Sequence, residues 1–492
     1  MPVPLNAPGV YIEEVPSPVR SIVGVSTATT VFVGRARQGP TTPMLIHSFS
    51  DFQRVFGGLW ELSPMTYAVQ QYYTNGGVDA IIFRIFSGAG NPTASFTVGG
   101  MGLLASSPGS WANTLGVKVD HATRDPANVH LINITVFDGT GPTATALETI
   151  RNILTDPAQP AQFRSLMEQQ SQFLRADPGA AIPAAPLDAG PSGPTTNGND
   201  GNPLTSGNLV ANLAALDRVD IFNILCLPPP TFTANVAGTD YATAVAYCET
   251  RRAILLIDAD DVQPSAVPPT LTSIGTSRNA AMFYPRLRMP NSLRQNLLDD
   301  FVPCGAVAGI CARTDAARGV WKAPAGIEAT IVGVAGLTRT LTDNENGDLN
   351  KIGVNCLRTF PIVGSVVWGS RTRQGADQLA SEWKYLPVRR TALFIEESLR
   401  RGLQWVVFEP NDEPLWAQIR LNVGAFLQNL FRQGAFQGKS PSEAYFVKCD
   451  ADTTTQTDRD LGIVNIFVGV ALLRPAEFVI IHIQQITAPA EA

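Results

Sequence analysis

Apolar residues recur along this chain at two spacings, and those spacings predict its elements. Leu415, Trp416, Ile419, Val423, Phe426, Leu427, Leu430 and Phe431 fall on one face of a helix, and so long an apolar face predicts a helix lying against a sheet. Ahead of it, Leu393, Ile395, Leu399 and Leu403 are too closely spaced for strand alternation and predict a helix stopped at Gly402. Between the two, residues 405–408 have the length of a buried strand. EPNDEP (409–414) then supplies a turn in which Asp412 is the expected N-cap.

Elsewhere the pattern is α/β. TTVFVGRA (29–36) reads as a strand and Ser50 as the cap of a short helix ending near Gly57 and Gly58. Ser63 and Pro64 open a helix with Met65, Ala68, Val69 and Tyr72 on one face, and AIIFRIF (80–86) follows as a buried strand, giving a βαβ unit. Between 88 and 208 short alternating runs, GVKVD (116–120) and HLINITVFD (130–138), predict a β-rich insertion. ALETIRNIL (146–154) and FRSLMEQQSQFL (163–174) read as its helices, and 176–208 as a loop or linker. A second α/β region, 209–347, carries strands at 219–228, 253–260 and 280–289 with a helix at 241–252.

Both ends of the chain alternate. Val10 and Ile12 stand on one side of a short strand and Tyr11 and Glu13 on the other, between groups of prolines. Such a strand either edges its own domain or reaches a neighbour's sheet. After Pro475, Val479, Ile481 and Ile483 alternate with Phe478, Ile480 and His482. We expect free-standing arms at 1–20 and 474–492.

Composition narrows the function classes. A net charge of -6 over 492 residues argues against a nucleic-acid binder, and an apolar fraction of 45% is ample for a core. The start, MPVPLNAPG, lacks the basic and apolar regions of a signal peptide, and the late apolar run 463–473 is too short to span a bilayer. Six scattered cysteines read as reduced thiols. Strands ending in Pro or Asp loops invite an enzyme reading, since ligands bind at the carboxyl ends of doubly wound sheets. Asp258, Asp260 and Asp261 could hold a divalent cation, but a solvated loop and helix cap is the plainer role. GGMGLLA (99–105) meets Pro108 where a phosphate site needs a helix, and GAFQGKS (434–440) is one residue short of a phosphate loop. G-x-S-x-G, H-E-x-x-H and C-x-x-C are absent. Glu396 and Glu397 stand beside Arg389, Arg390, Arg400 and Arg401, and surface ion pairs account for them better than acid–base catalysis does.

Several stretches resemble a known family. FIEESLRRGLQWVVFEPNDEPLW (394–416), QGAFQG (433–438) and EAYFVKCD (443–450) are similar to the core of contractile-tail sheath proteins. PGVYIEEVP (8–16), FGGLW (56–60), ARTDAARGVWKAPAG (312–326), VVWGSRTR (366–373) and PAEFVI (475–480) extend the likeness in the same order. The resemblance implies a multi-domain α/β sheath fold. An inner α/β core domain would be built from both chain ends (21–87 and 348–473), with a second α/β domain (209–347), a β-rich peripheral insertion (88–208) and extended arms. In that core 80–86 and 405–408 would share a sheet. It further implies a structural subunit without cofactor or metal, assembled in the cytoplasm as part of a phage tail or contractile injection particle. Its partners would be further copies in a helical sheath of stacked rings, an inner tube protein, and baseplate and terminator or cap proteins, with no direct nucleic acid and no membrane insertion. The arm residues Val10, Tyr11, Ile12, Glu13, Phe478, Val479, Ile480, Ile481 and Ile483 would join neighbours, and Arg400, Arg401, Arg420 and Arg432 would face tube or neighbour. Two other readings stay open: a doubly wound enzyme acting on a small metabolite, and a non-contracting assembly relative with the same fold and arms.

Overall fold

Runs of Val, Ile, Leu and Phe without polar interruption need burial on both faces, and the largest sheet of this protein provides it. The computed structural model describes residues 21–88, 92–261 and 274–481. The chain forms two compact units, one from 28–313 and 324–381, the other from 1–27, 314–323 and 382–492.

The larger unit is organised by an eight-stranded sheet of β1 (Thr30–Gly34), β2 (Met44–Ile46), β3 (Ala80–Arg84), β4 (Ile224–Cys226), β5 (Ile254–Asp258), β6 (Ala280–Tyr284), β7 (Val354–Phe360) and β8 (Gly364–Val367), in the order β8-β7-β6-β5-β4-β1-β3-β2. It is parallel except at its two edge strands. β1, β3, β5 and β6 are buried along their whole length. Helix α1 (Pro64–Thr74) connects β1 to β3, with Ser63 and Pro64 at its start as the sequence indicates. The short helix before it, Phe49–Phe56, is capped by Ser48, whose Oγ accepts the Asp51 N–H, and not by Ser50.

This sheet divides the chain otherwise than the sequence reading did. β1 and β3 pair with β4 and its neighbours, so 21–87 and 209–347 share one sheet, and 80–86 does not pair with 405–408. Strands buried on both faces carry the same signal whichever partner they have, so periodicity could not choose the neighbour.

Strands between Ser95 and Ser192 form two antiparallel sheets with their own core, including Phe96, Leu103, Trp111, Ile134, Phe163 and Met167. The expected helix at 146–154 is a strand, Thr145–Leu154. Ile132 faces Ile153 while Ile134 faces Ile150, so a bulge at Asn152 (φ 57°) turns both isoleucines inward at the three-residue spacing of a helix.

Asp258, which ends β5, and Asp260 are buried where solvation was expected. Asp258 Oδ1 accepts the Cys304 N–H at 2.9 Å, at the start of helix α2 (Cys304–Arg318), and Oδ2 has no hydrogen-bond partner among the described residues. Burial pushes its pKa up to about 6 against this bond. Asp261 pairs with Arg339 at 3.1 Å.

In the smaller unit helices α3 (Leu386–Gly402) and α4 (Glu413–Arg432) pack with a two-stranded antiparallel sheet of β9 (Tyr445–Lys448) and β10 (Phe467–Val470). α4 buries Leu415, Trp416, Ile419, Val423, Phe426, Leu427 and Leu430, the face its periodicity predicts. Ile22 lies on Gly402, where an added Cβ would meet the isoleucine side chain at 2.6 Å, so only glycine admits this contact. Buried Arg390 grips buried Asp315 with Nη1–Oδ1 at 2.9 Å and Nη2–Oδ2 at 2.6 Å. Thr27 completes the cluster, its carbonyl accepting from Arg390 and its hydroxyl donating to Asp315. Residues 405–408 are not a strand. They form a 3-10 turn (Gln404–Val406) followed by Val407 and a fully exposed Phe408 at φ +70°. Asp412 holds the N-cap position of α4, but its side chain pairs with Arg459 at 2.8 Å instead of capping a backbone N–H.

Two stability outcomes follow from the buried charges. A carboxyl whose folded pKa lies at about 6 against an ordinary 3.8 carries a folding penalty that is absent below about pH 4 and complete above about pH 6. Asp258→Asn is therefore expected to stabilise the protein by about 1–3 kcal/mol at pH 7 and by almost nothing at pH 4, read from urea unfolding at both pH values. Arg390→Ala strands the Asp315 carboxylate and should cost about 3–5 kcal/mol in the same measurement, whereas the double change Arg390→Met with Asp315→Leu recovers most of it.

Candidate assembly interface

One side of α3 is buried at Val388, Ala392 and Ile395 and half-buried at Leu399, yet it borders an open groove. Along α3 the positions Val388, Ala392, Ile395 and Leu399 form one row at helical spacing, and β10 with the residues after it offers Val468, Val470 and Leu472 at the two-residue spacing of a strand. The two rows border an open groove of about 510 Å³, with Glu382 and Glu396 also on its wall and Arg474 at the exit of β10. β10 pairs with β9 on one side only, and no strand lies on its other edge among the described residues.

The C-terminal arm leaves this same unit. Its root is held by Tyr385, whose hydroxyl donates to Glu477 at 3.0 Å. Beyond that bond Phe478, Val479, Ile480 and Ile481 adopt no regular secondary structure and are 72–81% exposed. Val10, Tyr11, Ile12, Glu13 and Ile483 lie outside the described residues.

The four arginines singled out from the sequence are scattered along two helices. Arg400 and Arg401 both donate to Glu397, at 2.5 and 2.7 Å, and these bonds hold its carboxyl down at about 2. Arg420 donates to Glu413 at 2.6 Å and to the Cys449 carbonyl. Arg432 is exposed in the last turn of α4. Arg389 pairs with Glu396 at 3.0 Å and Arg390 with Asp315 at 2.6 Å, and both arginines are buried instead of joining a surface set. Sequence reasoning missed Phe408, because an aromatic inside an apolar run signals burial.

In the larger unit the sheet places β3 and β4 on opposite sides of β1, the arrangement that opens a ligand crevice at the carboxyl ends of the strands. Here Arg84, at the end of β3, occupies the β1/β3 side. Its guanidinium donates to the carbonyls of Ala36, Gly39 and Pro108 at 3.0, 2.7 and 2.7 Å, and burial lowers its pKa to about 10. A cavity of about 670 Å³ lies beyond β5 and β6, lined by Glu61, Arg286, Arg294, Asp299 and Asp300 among others. Its charges already answer one another, Arg294 to Asp299 at 2.7 Å and Arg288 to Asp300 at 2.9 Å. Among the described residues no three His, Cys, Asp or Glu side chains are grouped to hold a metal ion, and no helix is long and apolar enough to cross a membrane.

Comparison with known proteins agrees with this architecture. Residues 205–373 match the family model for the phage tail sheath protein central domain, and 379–486 match that for the phage tail sheath C-terminal domain. Together they take in more than half of the chain. The tail sheath protein of Vibrio phage KVP40 is 32% identical over 127 residues, which is 26% of this chain and 18% of the phage protein, so the matched stretch spans less than a fifth of that relative. Among solved structures, a chain in the six-fold symmetrised baseplate of the anti-feeding prophage is 24% identical, with a TM-score of 0.62 over 98% of this chain and 100% of that one. A chain in the contracted helical sheath of the same particle gives 24% and 0.62, covering 98% and 99%. A multi-sheet α/β fold shared along nearly its whole length, together with two successive matching domains, places this chain in the family of phage tail sheath proteins.

Proposed function

We propose that the chain is the repeating subunit of a contractile sheath, polymerising helically around an inner tube and shortening to drive that tube through a target envelope. The observation that supports this best is the groove beside β10 in the same unit that extends a bare apolar arm. On this reading each groove receives the arm of another copy as an added strand, with Val10 and Ile12, or Val479 and Ile481, laid on the α3 row. The two-stranded sheet then becomes a larger one woven from several chains.

Magnitudes favour the arms as the lasting joint. Each backbone hydrogen bond of an added strand contributes on the order of 1 kcal/mol, and each buried Val, Ile or Phe roughly 1.5–3 kcal/mol. An exposed pair such as Arg420–Glu413 contributes about 1 kcal/mol or less. Surface contacts would thus break and re-form while the woven joints persist, which a tube needs if its subunits are to slide without dispersing. Contacts that repeat without closing give an open helix, and two packings of the same subunits can store the energy of contraction. Arg400, Arg401, Arg420 and Arg432 remain our candidates for the surface that meets tube or neighbour. The baseplate and cap proteins would meet the two ends of the polymer.

Electron microscopy of the purified chain tests the reading. Rods or tubes that shorten are expected, and monodisperse particles with enzymatic turnover would overturn it. Removing residues 1–20 should leave a folded chain that forms no rods. Val468→Glu sets a charge on the half-buried strand wall of the groove and is expected to abolish rods while shifting the melting temperature by only a few degrees.

A further inference from the structure

The C-terminal arm leaves its unit at one end of the groove described above. β10 runs along one wall and Leu472 and Arg474 continue it, while Glu477 is bonded to Tyr385, the residue just ahead of α3 on the other wall. Residues 474–477 therefore cross the end of the groove at which Trp383 stands. Only five residues, 473–477, separate Leu472 from Phe478.

A chain so placed has a closed alternative. Five residues suffice for a hairpin loop, and consecutive strands pair with each other more often than not. Turned back on itself, the arm would lie antiparallel along the free edge of β10 and bring Val479 and Ile481 to the groove. A tethered strand competes for that edge at an effective concentration on the order of millimolar, far above that of other copies in dilute solution. Phe478, Val479, Ile480 and Ile481 nevertheless stand 72–81% exposed, in no regular secondary structure.

Three features of the root oppose the return. Tyr385 Oη donates to Glu477 Oε2 at 3.0 Å and Lys384 Nζ stands 3.9 Å from the same oxygen, so the carboxylate, 19% exposed, is held by two consecutive residues ahead of α3. A hydrogen bond to an ionised acceptor is stronger than one between neutral groups, and more so when enclosed. The Leu472 carbonyl, an acceptor beside the loop of any such hairpin, already accepts from Gln437 Nε2 at 2.8 Å. Pro475 fixes one φ inside the loop and has no N–H to close it.

We propose that Glu477 is a latch that holds the C-terminal arm out of its own subunit's groove, so that groove and arm both stay available to other copies of this chain. The inference rests on the assembly reading above and adds to it the residue that favours exchange over self-closure. Exchange and closure use the same strand contacts and differ in the connection between body and strand, so one bond at that connection decides between them. Glu477 is thus a positioning residue, acting through the direction in which it sends residues 478–481.

Hydrogen exchange on the unassembled full chain tests the latch. Glu477→Ala, or Tyr385→Phe from the other side of the bond, should let the arm return and slow amide exchange in 467–472 and 478–481 about tenfold or more. A merely structural loss would speed it. The melting temperature should equal or exceed that of the parent, while the pelleted rod fraction falls about tenfold. Glu477→Gln keeps an acceptor for Tyr385 and should exchange like the parent. Deleting 478–492 from the Glu477→Ala chain should restore parent exchange in 467–472. Unchanged or faster exchange in Glu477→Ala or Tyr385→Phe overturns the latch, slowing in Glu477→Gln overturns the Tyr385 bond as the tie, and slowing that survives the deletion overturns the arm as occupant of its own groove. A parent that forms no rods overturns the assembly reading alone, because the exchange is measured on free subunits.

Discussion

A two-stranded sheet with one free edge beside a groove lined by apolar side chains is the constraint around which the smaller unit of this protein is organised. β9 and β10 cover α4, whose apolar face is buried, while the α3 row from Val388 to Leu399 is left beside an open groove. The free edge of β10 supplies hydrogen-bonding groups and the groove supplies apolar surface, the two things an added strand requires. The sequence alternates like a strand at both ends, around Val10 and Ile12 and after Pro475. On the proposed reading, the groove takes a segment from another copy, and the chain matches the tail sheath domains along both of its matched stretches.

Both units enclose charge and expose apolar side chains. Inside the units, charges are enclosed in hydrogen-bonded clusters. Arg390 and Asp315 bind each other and Thr27, and Arg84 is spent on three carbonyls at the mouth of the sheet where a ligand would otherwise enter. Such clusters fix one arrangement because breaking any partner leaves a charge without water. On the outside, Phe408, Ile362 and the residues 478–481 are all apolar and all uncovered, two of them at positive φ. An isolated subunit gains nothing from any of these. The rigid interior and the unsatisfied exterior together describe a part made to be enclosed by others.

Much of the local structure was legible. Helix α4 and its face, the end of α3 at Gly402, the helix opened by Ser63 and Pro64, and the buried strands β1, β3, β5 and β6 follow from periodicity and punctuation alone. The misreadings have one character. At 145–154 a bulge made a strand look helical, and at 405–408 four apolar residues were split between inside and outside by a turn. Asp412 stands where a cap belongs but spends its carboxylate on Arg459, a residue 47 positions later in the chain.

By itself the sequence determined which residues need burial, where helices stop, and that both ends alternate like strands. These are properties of short windows, set by side-chain spacing and turn chemistry. Only the tertiary structure decided that β1 and β3 join β4, that Asp258 is buried against α2, that a groove lies open along α3, and that Glu477 ties the root of the arm to Tyr385. Periodicity reports that a face will be covered but not by what. Pairing between distant strands, and the surfaces left over when pairing ends, arise from contacts that no window of sequence contains.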